Sequence, residues 1–309
     1  MKELRPILIG TSNAPNRLGP QAQTAIDDEG QGVSTAAAET ARTFAANRAV
    51  GRIALAVQAR AGMTRRARVR EEGSLRVRFP GPASAELEAV IVNTAGGVAG
   101  GDRFALDVTV EPGARLVVTT AAAEKVYRTL EPDATIDVRL AVGATSSLAW
   151  LPQETILFNR ARLRRTINID LAEDARLLLA EAIVFGRSGM GEAVDDADVF
   201  DRWHLRRGGR LIHAEAMRLD GAVAAKLAQP AVANGGVAVA TVLIVPADEA
   251  VAAGIRALDD HFLGEVGVSA WNGFAVVRLC AADGAALRHD LVAVLTAVHN
   301  GSLPRLWLN

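Results

Sequence analysis

The chain has 309 residues, 50% of them hydrophobic and 22% charged, which is an ordinary globular composition with room for one large domain or two modest ones. Its formal net charge of −1 excludes a general electrostatic attraction to nucleic acid, and we interpret the one basic patch, the arginines at positions 65, 66, 68 and 70, as the exposed face of a strand. The single cysteine, Cys280, excludes an intramolecular disulfide and a multi-cysteine zinc site. No apolar run reaches the ~18 residues of a membrane-spanning helix. We therefore expect a cytoplasmic protein without nucleic-acid or membrane partners.

The first 48 residues are rich in Ala, Gly and Gln and show no apolar periodicity before Ala36. Such a segment buries too little apolar surface to offset the entropy lost on ordering, so we predict a disordered tail at 1–48 with one short helix near 35–46. A single β-rich domain is predicted over 49–309. Apolar residues alternate at 53–57 and 75–79, which indicates that this domain opens with strands.

A glycine-rich stretch joins two apolar segments and contains Gly96, Gly97, Gly100 and Gly101, followed by Asp102 and Arg103. Glycine enters positive φ without steric cost, so we predict a sharp bend between two strands in which Gly97 and Gly100 require that conformation. The stretch lacks the Lys-Ser/Thr of a Walker loop, and the strand-like residues after it do not open the helix of a dinucleotide site. A structural bend is therefore favoured, and an enzyme that binds phosphate or a nucleotide at residues 96–101 is the alternative.

A degenerate strand–turn–strand repeat follows the bend, with residues 114, 144, 175 and 209 at equivalent positions and steps of 30, 31 and 34 residues. Units of this kind bury their apolar faces only by stacking, which favours a β-solenoid or a layered sandwich. Apolar spacing of the helical type appears late, at 251–262 and 287–298, with a strand between them at 275–280 and an extended end at 303–309. The predicted fold is mainly β: a β-helix-like stack of strand pairs with a few C-terminal helices.

Three acidic residues, Glu124, Glu154 and Glu181, recur after the repeat turns beside apolar neighbours. Acidic side chains are rarely buried unless they are paired or hydrated. One interpretation pairs them inside the stack with the cations at positions 125, 128, 187 and 210. The other places them along a water-filled channel, where carboxylates give weak, exchangeable ligands for a divalent cation. The sequence contains neither the histidine or cysteine spacing of a closed metal site nor the Gly-x-Ser-x-Gly motif of a hydrolase.

Five motifs, in order from about residue 50 to the C-terminus, resemble the UreD family of urease accessory proteins, also called UreH. They comprise the glycine stretch with Arg103; Thr119, Thr120, Lys125, Tyr127 and Arg128; Trp150, Pro152, Gln153 and Glu154; Glu181, Gly186, Arg187, Gly191 and Glu192; and Pro304, Arg305 and Trp307. Departures from the family pattern are modest, at Ala122, Gly189 and the final Leu308-Asn309. An ordered set of five motifs is far more specific than any one of them.

The resemblance implies a non-catalytic protein of β-helix-like fold that supports urease maturation. It implies binding to apo-urease together with UreF and the GTPase UreG, with UreE as the indirect supplier of nickel. It implies no tightly bound cofactor, because nickel is only in transit along an internal path. From the resemblance and the recurrence of acidic residues, we assign that path to Asp102, Glu154, Glu181 and Glu192 and expect the other motif residues to be structural.

Overall fold

The computed structural model describes residues 48–81 and 84–308, so the predicted disordered tail and its short helix lie outside the described residues. The strands, in chain order, are β1 (Val50–Arg60), β2 (Met63–Gly73), β3 (Leu75–Arg78), β4 (Leu87–Asn93), β5 (Arg103–Val110), β6 (Arg115–Thr120), β7 (Glu124–Val126), β8 (Ala134–Val142), β9 (Ser147–Leu151), β10 (Thr155–Leu157), β11 (Arg162–Leu171), β12 (Arg176–Phe185), β13 (Asp196–Arg207), β14 (Arg210–Ala222), β15 (Ala238–Val245), β16 (Glu265–Trp271) and β17 (Phe274–Ala281). The helices are α1 (Val223–Leu227), α2 (Glu249–Arg256) and α3 (Gly284–Val298). The predicted mainly β composition is confirmed.

The strands form two large sheets that enclose one apolar core. The first sheet has the order β14-β13-β11-β8-β5-β1-β2, and the second has the order β16-β17-β15-β12-β9-β6-β4-β3. In the first sheet β1, β5, β8, β11 and β13 run parallel, and in the second β4, β6, β9 and β12 do so. The short strands β7 and β10 add a third parallel side next to β12. Because the chain passes repeatedly from one sheet to the other, the molecule is a short parallel β-helix flanked by antiparallel strands, as predicted.

Side-chain alternation within the second sheet creates two apolar layers. In β6, Leu116 and Val118 point into the core between the sheets, whereas Val117 points to the outer face. That outer face is covered by α2 and α3, through residues such as Ile255 and Leu291. Strands that are covered on both faces have continuous apolar runs, and β12 is buried along most of its length for this reason.

Three stacked turns connect the two sheets, and they correct the predicted register of the repeat. Because β6 and β12 both begin opposite the start of β9, Ala114 and Ala175 are equivalent to Ser146. Residue 144 was therefore placed two positions too early. The prediction aligned the identical Gly-Ala pairs at 113–114 and 143–144. In the structure each turn has four residues and follows a strand that ends at 110, 142 or 171, so the fourth turn residues are the equivalent ones. Ala114, Ser146 and Ala175 are buried, and Ala144 is exposed.

The fourth predicted unit is a hairpin rather than another coil of the stack. Gly208 and Gly209 connect β13 to the antiparallel β14, with φ values of +55° and +78°. A two-residue turn with both φ values positive returns the chain along the same sheet. Placing residue 209 as equivalent to 114 was therefore wrong, because β14 forms the edge of the first sheet.

The two predicted C-terminal helices are confirmed, although one is shorter than expected. α2 and α3 are capped by Asp248 and Asp283, whose carboxylates accept hydrogen bonds from the backbone two and three positions further on. α2 ends at Arg256 rather than near 262, because the chain turns toward β16. Asp290 fixes this turn by accepting the N–H groups of residues 263 and 264 at 2.8 Å.

The C-terminal segment and the surface of β2 were also predicted from the sequence. The end predicted as extended contains a 3-10 turn at Arg305–Trp307, because the buried Trp307 donates its backbone N–H to the Pro304 carbonyl. The arginines at 65, 66, 68 and 70 lie exposed on β2, as predicted. Within 48–81 and 84–308 no helix has the length and apolarity to cross a membrane.

Candidate functional site

The glycine stretch forms a tight loop between β4 and β5. Gly97 has φ +144°, and a Cβ there would clash with the Tyr127 ring, whose hydroxyl donates to the Gly96 carbonyl at 2.7 Å. Gly100 differs from the prediction because its φ is not positive. A Cβ on Gly100 would instead lie 2.6 Å from the Pro132 carbonyl oxygen, so close backbone approach is what requires glycine at this position.

Asp102 closes this loop with both of its carboxylate oxygens. Oδ1 accepts the Ala49 N–H at 2.8 Å, and Oδ2 accepts the Ala99 N–H at 2.7 Å, in a side chain that is only 4% exposed. The Val98 N–H donates to the backbone of β7. A phosphate would have to compete with a built-in anion for these donors, and the loop leads into a strand rather than a helix. The geometry therefore favours the structural bend over the phosphate site.

Arg288 of α3 joins two motifs that lie far apart in the sequence. Its guanidinium Nη1 donates to Gln153 Oε1 and to Glu154 Oε1, both at 2.8 Å. The same guanidinium lies 5.0 Å from the centre of the Trp307 ring. Glu154 is thus part of a clamp that holds the C-terminus against the second sheet.

A charged cluster is buried in the core between the two sheets. Arg165 of β11 donates to Glu181 of β12 and, at 2.6 Å, to Asp201 of β13. The indole N–H of Trp150 donates to Glu181 at 2.8 Å, and that of Trp203 donates to Asp201 at 3.1 Å. Burial raises the pKa of Glu181, although Arg165 stabilises its carboxylate. Two buried carboxylates therefore share one guanidinium.

This charged cluster borders a cavity of about 700 Å³ at the β14 and β16 end of the molecule. Glu181, Asp201 and Glu215 bring carboxylates to its wall, and Thr241 brings a hydroxyl. Burial opposes ionisation of Glu215, but the neighbouring His213 and Arg278 groups outweigh it and hold its pKa below the usual value. Arg165 and Arg278 also line the cavity and pair with these carboxylates, so its wall combines apolar side chains with carboxylate–arginine pairs.

Glu192 lies in a separate loop at 186–192. Its carboxylate pairs with Arg187, whose guanidinium lies 4.1 Å from the centre of the Phe158 ring. Gly186 has φ +89°, and a Cβ there would clash with the Glu192 carbonyl. Glu192 and Arg187 therefore close their own loop.

The remaining motif residues are distributed between interior and surface. Thr119 is buried, and Thr120 Oγ1 accepts the Gln153 N–H at 2.9 Å. Exposed positions of the motifs are Gly96, Arg103, Lys125, Arg128, Gly191 and Arg305, and Pro152 is half-buried.

The four acidic residues assigned to the nickel path are not brought together. In the described chain, 48–81 and 84–308, no group of three or more His, Cys, Asp or Glu side chains could hold one ion. Glu124 is hydrogen-bonded by Asn93, and burial raises its pKa. The interpretation as buried pairs is right in kind for Glu154 and Glu181, but the predicted cations at 125, 128, 187 and 210 are not their partners. Pairing crosses stacked strands and helices, so the partners lie 16 and 134 residues away in the sequence.

Comparison with known proteins identifies the family. The family model described as "UreD urease accessory protein" matches residues 49–308. A urease accessory protein UreD of Rhodopseudomonas palustris is 56% identical over 87% of this chain and 97% of the relative. A urease accessory protein UreD of Bradyrhizobium diazoefficiens is also 56% identical, over 87% of this chain and 98% of the relative.

The chain belongs to the UreD family of urease accessory proteins. The resemblance deduced from five motifs is therefore confirmed, and the relatives are named as accessory proteins. In the UreD fold of this chain, the motif that contains Trp150 and Gln153 meets the C-terminal motif through Arg288. The same motif meets the one that contains Glu181 through the hydrogen bond from Trp150.

Sequence reasoning missed Arg165 and Asp201, although a signal was present. Both occupy inward positions of apolar alternation, Arg165 between Leu163 and Ile167 and Asp201 before Trp203. A charged residue at an inward position of a strand needs a buried partner. Applying that rule to β11 and β13 would have paired the two residues across neighbouring strands.

Proposed function

We propose that this protein is a non-catalytic scaffold of urease maturation that acts in the cytoplasm. It binds apo-urease together with UreF and the GTPase UreG, and it helps to deliver nickel, supplied indirectly by UreE, to the urease active site. The family match over residues 49–308 is the observation that carries this proposal.

The carboxylate-bordered cavity supports a role in nickel transit. A conduit must release its cargo, and carboxylate oxygens bind nickel more weakly than imidazole or thiolate groups do. Glu181, Asp201 and Glu215 border one space of about 700 Å³, which leaves room for a hydrated ion. Nickel that keeps part of its water shell can exchange between these oxygens.

Glu181 fits the transit path best among the four assigned residues, because it borders the cavity. Asp102 would have to give up two backbone N–H groups to contact an ion. Glu154, Glu181 and Glu192 each pair with an arginine, so Glu181 is distinguished by its place on the cavity wall. We therefore propose Glu181, with Asp201, as the principal step of the path. Asp102, Glu154 and Glu192 are proposed as secondary contributors.

Co-purification tests the scaffold function directly. A tagged full-length chain, co-expressed with the urease subunits, UreE, UreF and UreG, should retain apo-urease, UreF and UreG. Urease made without the chain should contain little nickel. Full nickel loading of urease in its absence would contradict the proposal.

Nucleotide titration of the isolated chain separates the scaffold from the alternative enzyme. The scaffold predicts no saturable binding of ATP or GTP, because Asp102 already occupies the donors of the glycine loop. Saturable binding that is lost in a Gly97→Ala variant would favour the enzyme.

A further inference from the structure

A row of three polar residues crosses the second sheet at one end. Arg115, Ser147 and Arg176 are the first residues of β6, β9 and β12, and they are register partners. The next residue of each strand points into the core, so alternation directs these three side chains to the outer face, beside the helices. Two guanidinium groups therefore rise from the same face, on either side of a serine.

A second cavity lies above this row. Its volume is about 930 Å³, and it is separate from the carboxylate-bordered cavity. Its apolar wall includes Leu178 and Ile244 of the sheet and Val251, Ile255 and Val298 of the helices. This size and this mixture of an apolar wall with a few polar groups are typical of sites that bind small organic ligands.

The two arginines and the histidine of this cleft are incompletely paired among the described residues. Among the described residues, neither Arg115 nor Arg176 has a carboxylate within 4.0 Å. His299, at the end of α3, has a buried Nδ1 atom without a hydrogen-bond partner in the described chain. Glu86 also lines the cleft, and burial raises its pKa even though His299 and Arg115 favour its carboxylate. Two arginines facing one glutamate leave an excess of positive charge for an incoming anion.

We propose that this cleft binds an apolar group that carries a carboxylate. The arginines at 115 and 176 bind the carboxylate, which matches the planar, two-donor geometry of a guanidinium. The apolar body of the ligand lies along Val251 and Ile255 of α2. Such a ligand is either a free carboxylic acid with an alkyl chain or the C-terminal carboxylate of an apolar peptide.

Calorimetric titration of the full-length chain tests the cleft with three probes: decanoate, the peptide acetyl-Leu-Val-Leu-Leu with a free carboxylate, and the same peptide as its amide. The amide should bind at least tenfold more weakly than the acid. Binding of decanoate alone identifies a free acid as the ligand, and binding of the peptide acid identifies a peptide C-terminus. Failure of both carboxylates to bind would overturn the proposal.

Variants connect the binding to the named residues. Arg115→Gln and Arg176→Gln should each weaken binding at least tenfold, and Val251→Asp should abolish it by placing a negative charge in the apolar wall. Arg65→Gln is the matched control, because Arg65 is an exposed strand arginine remote from the cleft lining. Equal affinity in Arg176→Gln, Arg65→Gln and the unchanged chain, with thermal unfolding unaltered, would place the probe elsewhere and refute the site.

Discussion

Arg165 is the residue on which the buried charge of the interior depends. It is 5% exposed and is the cation that Glu181 and Asp201 share. Arg165→Met should lower the free energy of unfolding at pH 7 by about 3–5 kcal/mol, because two buried carboxylates lose their counter-charge. Denaturant unfolding of the purified chain measures this loss.

The pH dependence of that loss has a definite sign. The folded-state pKa of Glu181 is already raised above its usual value of 4.5, and removal of Arg165 raises it further. A carboxyl group whose pKa is higher in the folded than in the unfolded chain favours the fold when it is protonated. This contribution to the free energy of unfolding is fully present below the pKa of the unfolded chain, and it is lost as pH rises through the pKa of the folded chain. The difference between the variant and the unchanged chain should therefore shrink on acidification toward pH 4.

Arg164→Met provides the matched control for Arg165→Met. Arg164 is the adjacent residue, but its side chain is 33% exposed and pairs with Asp133 and Asp198 on the outer face. Its removal should cost about 1 kcal/mol or less, because partly solvated pairs contribute little. Equal losses of stability for the two variants would show that burial does not make the Arg165 pairs more important to the fold than the partly solvated Arg164 pairs.

Substitutions at Gly96 and Gly97 distinguish the cost of a positive φ from the cost of a steric clash at the added Cβ. Both have positive φ, but space is open beside Gly96, whereas a Cβ on Gly97 meets Tyr127 and lies 2.9 Å from the Lys125 carbonyl oxygen. Gly96→Ala should cost about 1 kcal/mol through φ alone, and Gly97→Ala should cost more. Thermal unfolding of both variants measures the difference. Similar melting temperatures would contradict the steric part of this explanation.

At the scale of the turns, the corrected register makes a prediction of its own. Ala114 is fully buried in its turn, whereas Ala144 is exposed. Ala114→Leu should destabilise the fold by about 1–3 kcal/mol through overpacking, and Ala144→Leu should change stability by about 0.5 kcal/mol at most. Denaturant unfolding of the pair checks the register. A larger loss for Ala144→Leu would restore the alignment deduced from the Gly-Ala letters.

At this scale, sequence patterns located individual strands and helices, but they did not show which turn positions of the repeat are structurally equivalent. Alternation located β1 and β3, and Asp248 and Asp283 give α2 and α3 recognisable starts. Identical residues in two turns did not show which of their positions are equivalent. Equivalent positions are set instead by the number of residues between the strands. The end of α2 depends on Asp290, which is a contact between elements that no local pattern encodes.

At the scale of the whole molecule, the stacked architecture was predictable and the charge pairing within it was not. A repeat that buries its apolar faces only by stacking has few alternative folds. Which carboxylate meets which arginine depends on the stacking of β11, β12 and β13, as the cluster of Arg165, Glu181 and Asp201 shows. Among the four acids assigned to the path, Glu181 is the one that belongs to this buried cluster and lines the cavity of about 700 Å³.

The nickel content of urease matured with a Glu181→Gln chain tests the proposed transit path most directly. Glutamine keeps the shape of the side chain and one accepting oxygen for the Trp150 N–H, but its NH2 group cannot accept the Arg165 bond. Arg165 keeps Asp201 as its counter-charge, so fold and assembly should persist. Purified complexes should retain urease, UreF and UreG at unchanged stoichiometry, while nickel per urease falls at least several-fold. Glu249→Gln, on the surface of α2, is the control and should leave both values unchanged. Full nickel loading by Glu181→Gln, or a loss of nickel only in proportion to lost assembly, would contradict a path through the buried carboxylates.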